Sequence, residues 1–135
     1  MTGDLIAFLN ARLDEDEAAA KGAAGDVWEY RDTWVWCGPF EVADIFGGAD
    51  MEEIGGHIAR HDPARVLREV AAKRAIVATV SAYEAKIDGE WGCCHSATGI
   101  AGGYCPEIRP DDIRALRELA AVWSDHPDYR QEWAS

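Results

Sequence analysis

Three of the four cysteines and one of the four histidines fall within thirteen residues of the stretch EWGCCHSATGIAGGYCPE. Cys93, Cys94 and His95 are consecutive, and ten residues separate Cys94 from Cys105. Thiolate and imidazole are the ligands that zinc prefers, and a structural zinc site takes four of them in a tetrahedron, often from a tight turn and a distant pair. Gly92 eases a turn into Cys93-Cys94-His95, and Cys105 supplies a ligand from across the loop. His57 and His61, spaced i,i+4, are the distant candidates. Against a metal, no C-x2-C occurs, and adjacent residues rarely bind one ion. The other reading is a glycine-rich packed loop with plain thiols.

Other chemistry finds less support. A nucleophilic cysteine needs an imidazole in contact and a third group to orient it, and no cysteine-protease signature is present. The string His-Ile-Ala-Arg-His at 57–61 lacks the glutamate of H-E-x-x-H, so the metalloprotease pattern fails. The simpler role for His61, just ahead of Asp62, is to satisfy local backbone groups, and His126 in Asp125-His126-Pro127 occupies the same setting. Gly99, Gly102 and Gly103 precede no Lys-Ser or Lys-Thr, so they form no phosphate loop.

The elements that must position these residues follow from periodicity. A chain of 135 residues, 48% hydrophobic and 28% charged, is expected to form one domain, 1–135, with a real core. Leu5, Ile6, Leu9 and Leu13 recur at helical spacing behind a candidate cap at Asp4, predicting a helix from Asp4 to Ala24 whose second half is exposed. Trp28, Tyr30, Trp34 and Trp36 alternate, as do Phe40, Val42 and Phe46. Those two runs predict a hairpin turning at Cys37-Gly38-Pro39, its aromatic face packed on helices.

Asp50 and Glu53 read as a capping box for a short helix to His61. Asp62-Pro63 restarts the chain as a long helix ending near Asp88, with Val66, Val70, Val77 and Val80 on one face. Residues 89–109 are then a long Gly/Cys-rich loop. A helix from Pro110 turns Ile113, Leu116, Leu119, Ala120 and Trp123 inward, and a short terminal helix docks Tyr129 and Trp133. The expected fold is α+β and mostly helical, about four helices packed with a small hairpin.

Charge narrows the partners. The net charge is −12, and residues 1–53 alone hold 13 acids against 3 bases. Such a chain repels phosphate backbones, which argues against sequence-specific nucleic-acid binding and leaves a basic protein surface as the natural electrostatic partner. No run of eighteen apolar residues exists to span a membrane, and the N-terminus lacks a basic n-region. Cytoplasmic residence, with reduced thiols, is the expectation.

The segments DLIAFLNARLDEDE (4–17), HIARHDPARVLREVAAKRAI (57–76), CPEIR (105–109) and SDHPDYRQEW (124–133) together resemble a domain-of-unknown-function family of small proteins from actinobacteria and their phages. The resemblance covers both ends and the long helix, and departs from the family where RELAAVWSDHPDY replaces a more apolar run. It implies a cytoplasmic protein of actinobacterial or actinophage origin and carries no activity with it. The expected function is that of a small acidic accessory protein, a non-catalytic protein-binding module whose contact surface is the acidic N-terminal face with exposed parts of the hairpin. Zn2+ on Cys93, Cys94, His95 and Cys105 is its expected cofactor if the cysteine cluster binds metal. The alternative is a metal-dependent enzyme using the same Cys/His ligands with one open coordination position.

Overall fold

The computed structural model describes residues 3–23, 25–80, 85–87, 90–92, 101–103 and 109–134. The architecture is α+β, with four helices and a three-stranded antiparallel sheet among the described residues. The chain divides into two compact units, Met1–Leu13 with Lys73–Ser135, and Asp14–Ala72. Two of its helices run through both ranges, α1 (Asp4–Gly22) and α3 (Pro63–Thr79).

The core of the first unit joins the start of the chain to its end. Leu5, Leu9 and Leu116 are completely buried, together with Ile6, Phe8, Val77, Ile113, Ala120 and Trp133. Burying each of these large side chains is worth about 1.5–3 kcal/mol, so the apolar stripe fixes which face of α1 turns inward. Phe8 anchors the C-terminal segment, with the rings of Trp133 and Tyr129 at 5.2 and 6.0 Å. That segment ends in a single 3-10 turn, Gln131–Trp133, rather than a helix of its own.

Helix ends in this unit depart from the expected pattern. Asp4 lies within α1 instead of capping it, and the Leu5 N–H donates to Asp111 Oδ1 at 3.1 Å. The cap therefore comes from 106 residues away. Asp4 accepts a hydrogen bond from Arg130 at 2.7 Å, and this carboxylate holds the guanidinium's pKa above its ordinary value. The predicted helix from Pro110 is interrupted: Ile113 takes an extended conformation (φ −78°, ψ 116°) between a 3-10 turn, Pro110–Asp112, and α4 (Arg114–Ala120). The inward set holds nonetheless, because Leu116 and Ala120 are buried and Leu119 and Trp123 pack beside them.

The long helix stops at Thr79, nine residues short of the predicted end at Asp88. Beyond it β4 (Ala85–Ile87) pairs antiparallel with β5 (Glu90–Gly92), Ile87 opposite Glu90. Asp-Gly between two short strands is a strong hairpin signal.

The second unit is built on a meander of β1 (Glu29–Arg31), β2 (Trp34–Cys37) and β3 (Phe40–Asp44). The turn at Gly38-Pro39 is as predicted, with Gly38 at φ 57° and Cys37 opposite Phe40. A second turn, unpredicted, falls at Asp32-Thr33, both at positive φ (51° and 66°). Val35, Ile45 and Ala59 form the core here, with Trp28, Tyr30, Met51 and Ile58 packed around them. Helix α2 (Met51–Arg60) begins without the capping box, since the Asp50 side chain makes no cap hydrogen bond. The Asp62 cap does form, its Oδ1 accepting the Arg65 N–H at 2.7 Å.

Candidate functional site

Cys93, Cys94, His95 and Cys105 lie outside the described residues. The fourth cysteine, Cys37, is half-buried, and its Sγ lies against Gly25, where any side chain would collide with it. Gly25 also sits at φ 71°, so both conformation and close approach require glycine at that position. The rings of His57 and His61 lie 4.4 Å apart between centroids, tilted by 42°, and His61 Nδ1–H donates to the His57 carbonyl at 2.8 Å. His61 therefore satisfies local backbone, the simpler of its two expected roles. His126 Nδ1 accepts the Asp128 N–H at 3.1 Å and also meets Arg12. Among the described residues no group of three or more His, Cys, Asp or Glu side chains is placed to hold a metal ion.

The sheet sorts its aromatics differently from a simple alternation. Because chain reversal at Asp32-Thr33 sets Tyr30 opposite Val35, these two share the inner face, with Ala43 beside Val35. The same register sets Arg31 opposite Trp34 and Glu29 opposite Trp36 on the outer face. Trp34 and Trp36 therefore leave the core face that the period of two assigned to them. A bulge at Val35/Trp36 restores the pairing of Trp36 with Glu41, while Trp34 pairs with Asp44. The two indoles lie 6.4 Å apart, and the Arg31 guanidinium sits 4.7 Å from the Trp36 ring centroid.

This outer face thus carries two half-buried tryptophans and a stacked arginine bordered by Glu29, Glu41 and Asp44. Residues 26–53 hold eight carboxylates and one cation, Arg31. Phe40 and Phe46, at the sheet's end and just beyond it, are 72% and 85% exposed. Aromatic and arginine side chains in such an arrangement are what protein-binding hot spots are made of.

An open cleft of about 590 Å³ lies elsewhere in the same unit. Trp28, Glu29 and Tyr30 form one wall, and Gly56, Ala59 and Arg60 of α2 form another. Asp62, Arg65 and Arg68 complete it from the start of α3. Asp62 is the joint between these walls: its Oδ2 accepts the Trp28 N–H at 3.2 Å while its Oδ1 caps α3. Arg65 pairs with Glu69 at 2.7 Å. Arg60 and Arg68 have no carboxylate partner among the described residues. Arg65 and Arg68 are one turn apart on α3, and the break between the two helices brings Arg60 of α2 to the same cleft.

The family model described as "Family of unknown function (DUF6221)" matches residues 2–135. No curated protein and no solved structure matches the chain.

Proposed function

The chain belongs to DUF6221, a family of unknown function, and on that footing we propose that it is a non-catalytic protein-binding module that takes a basic segment of its partner on the outer face of the β1–β3 sheet. The observation that carries this reading is the Trp34–Trp36 pair with Arg31 stacked on it, bordered by Glu29, Glu41 and Asp44. Indole faces attract lysine and arginine side chains by cation–π contact worth about 0.5–2 kcal/mol each, and the carboxylates draw the same side chains by charge. Residues 14–72 contain 14 acids and 5 bases, so nine of the chain's twelve net negative charges belong to this unit. That balance speeds encounter with basic surfaces and disfavours nucleic acid. The setting proposed is the cytoplasm of an actinobacterium or its phage, on the resemblance carried by the HDPARVLREV stretch (61–70) and the two ends of the chain. A zinc ion on Cys93, Cys94, His95 and Cys105 belongs to the same proposal as a structural staple, on the strength of four suitable ligands within thirteen residues.

The test is titration of the protein with lysine- and arginine-rich peptides, followed by the indole N–H resonances of Trp34 and Trp36. Saturable shifts at both, weakened by salt and lost in a Trp34→Ala/Trp36→Ala variant, are expected. Equal response to acidic peptides, or shifts spread evenly over the carboxylates and unaltered in that variant, would overturn the reading.

A further inference from the structure

We propose that the cleft walled by Trp28–Tyr30, Gly56, Arg60, Arg65 and Arg68 is a binding site for a small phosphomonoester. Charge is the first argument. The unit is strongly acidic, yet this cleft collects three of its five Lys and Arg residues. Of these, Arg65 is the only one that pairs with a carboxylate among the described residues. Surface arginines in so acidic a chain are expected to be neutralised by neighbours. Arg60 and Arg68 stand apart from that expectation. A guanidinium presents paired N–H donors that match the oxygens of phosphate bidentately, and two or three converging on one space form an anion site rather than a salt bridge.

The acidic residues of the lining do not cancel this. Both oxygens of Asp62 accept backbone N–H groups, from Trp28 and Arg65, and the residue is 8% exposed. Its charge is therefore spent on the frame of the cleft. The Glu29 side chain is 69% exposed and lies 3.7 Å from Arg31, which shares its face of the sheet. The lining keeps one net positive charge in a unit of net −9.

Shape is the second argument. The cleft is open to solvent, and its volume of about 590 Å³ leaves room for a small ligand beside the arginines. Gly56 helps to open it: a Cβ at Gly56 would meet nothing within 4 Å, so no neighbour requires glycine there. The residue sits in the middle of α2, where glycine weakens the helix, and its lack of a side chain leaves the wall beside Arg60 clear. Trp28, Tyr30 and Ala59 supply an apolar flank for the organic part of the ligand, which inorganic phosphate lacks.

The probes are phenyl phosphate, inorganic phosphate and phenol, titrated at constant ionic strength with sodium chloride as the compensating salt and read from the backbone amides of Gly56, Arg60 and Arg68. The expected result is saturable binding of both phosphates at these amides, phenyl phosphate the tighter, and no response to phenol. An Arg60→Gln/Arg68→Gln variant should weaken phenyl phosphate by tenfold or more, the loss expected when charge-assisted hydrogen bonds are removed. Gly56→Glu should abolish binding by placing a carboxylate on the cleft wall beside Arg60. It should keep the melting temperature at or above the parent's, because a better helix former replaces glycine in open space. Shifts that follow total salt, a response to phenol equal to that to phenyl phosphate, or undiminished phosphate binding in both variants would overturn the assignment. The peptide titration of the sheet face is independent, since neither variant alters Trp34, Trp36 or Arg31.

Discussion

The ring of Tyr30 lies against the backbone of Gly55, so close that a Cβ on Gly55 would overlap the ring edge and come within 2.8 Å of its Cγ. Through this contact β1 seats on α2, and the adjacent Gly56 faces open space. Two neighbouring glycines in one helix thus answer to opposite constraints. Gly55→Ala should destabilise the protein by about 1–2 kcal/mol, overpacking outweighing the gain in helix propensity. Gly56→Ala should stabilise it by up to about 1 kcal/mol. Urea unfolding of the two variants gives the comparison, and equal signs would contradict the packing described.

The Asp32-Thr33 turn supplies a second expectation. Both residues adopt positive φ, which a β-branched side chain such as that of Thr33 takes only under constraint. A two-residue hairpin turn with both φ positive favours Asn-Gly. Replacing Asp32-Thr33 by Asn-Gly should raise stability by about 1 kcal/mol while leaving the β1–β2 register intact. Thermal melts measure the gain, and nuclear Overhauser contacts between Tyr30 and Val35 verify the register.

Inside the first unit, the buried Arg12 places its Nη1 at 2.6 and 2.7 Å from the two ring nitrogens of His126, with Asp128 at 3.6 Å. His126 also packs edge-on against Phe8, 5.9 Å between centroids. A guanidinium held at 6% exposure depends on such neighbours, and removing one leaves charge poorly compensated. His126→Ala should cost about 2–3 kcal/mol, and His126→Asn, which retains an acceptor, less than half of that. Denaturant midpoints separate the two, and equal losses would assign the effect to packing on Phe8 alone.

How far these relationships were legible in the sequence follows from their range. The stripe Leu5, Ile6, Leu9, Leu13 and the Asp62-Pro63 restart were readable because helix periodicity and capping are local. The capping of α1 by Asp111 was not, since nothing near Asp4 encodes a partner 106 residues away from Leu5. The strand aromatics were readable as strand and misassigned in face. A two-residue turn preserves apparent alternation along the chain, yet reversal sets Tyr30 against Val35, so the parity that joins Tyr30 to Trp34 on paper divides them in the sheet. The Arg60, Arg65 and Arg68 cleft was hidden for a similar reason. Arg65 and Arg68 lie one turn apart on α3, but Arg60 belongs to α2, and its place beside them depends on the angle made at His61-Asp62, which is a property of packing. The cysteine cluster stands on residue type and spacing alone.

That cluster makes the last prediction, because zinc and a packed loop differ in what a chelator does. If Cys93, Cys94, His95 and Cys105 hold Zn2+, protein purified without chelator should carry about one equivalent of zinc by elemental analysis. Binding energy at a structural zinc site is folding energy, of order 10 kcal/mol in small zinc domains, so chelation should lower the melting temperature strongly. Cys94→Ser/Cys105→Ser should abolish the metal and reproduce the chelated melting curve. Three protein ligands and an exchangeable water would turn the proposal toward the metal-dependent enzyme, since only an open coordination position activates water. X-ray absorption at the zinc edge counts sulfur against oxygen neighbours and separates the closed site from the open one. Metal-free protein whose melting is unchanged by both substitutions would leave the glycine-rich stretch as packing and remove zinc from the account of this chain.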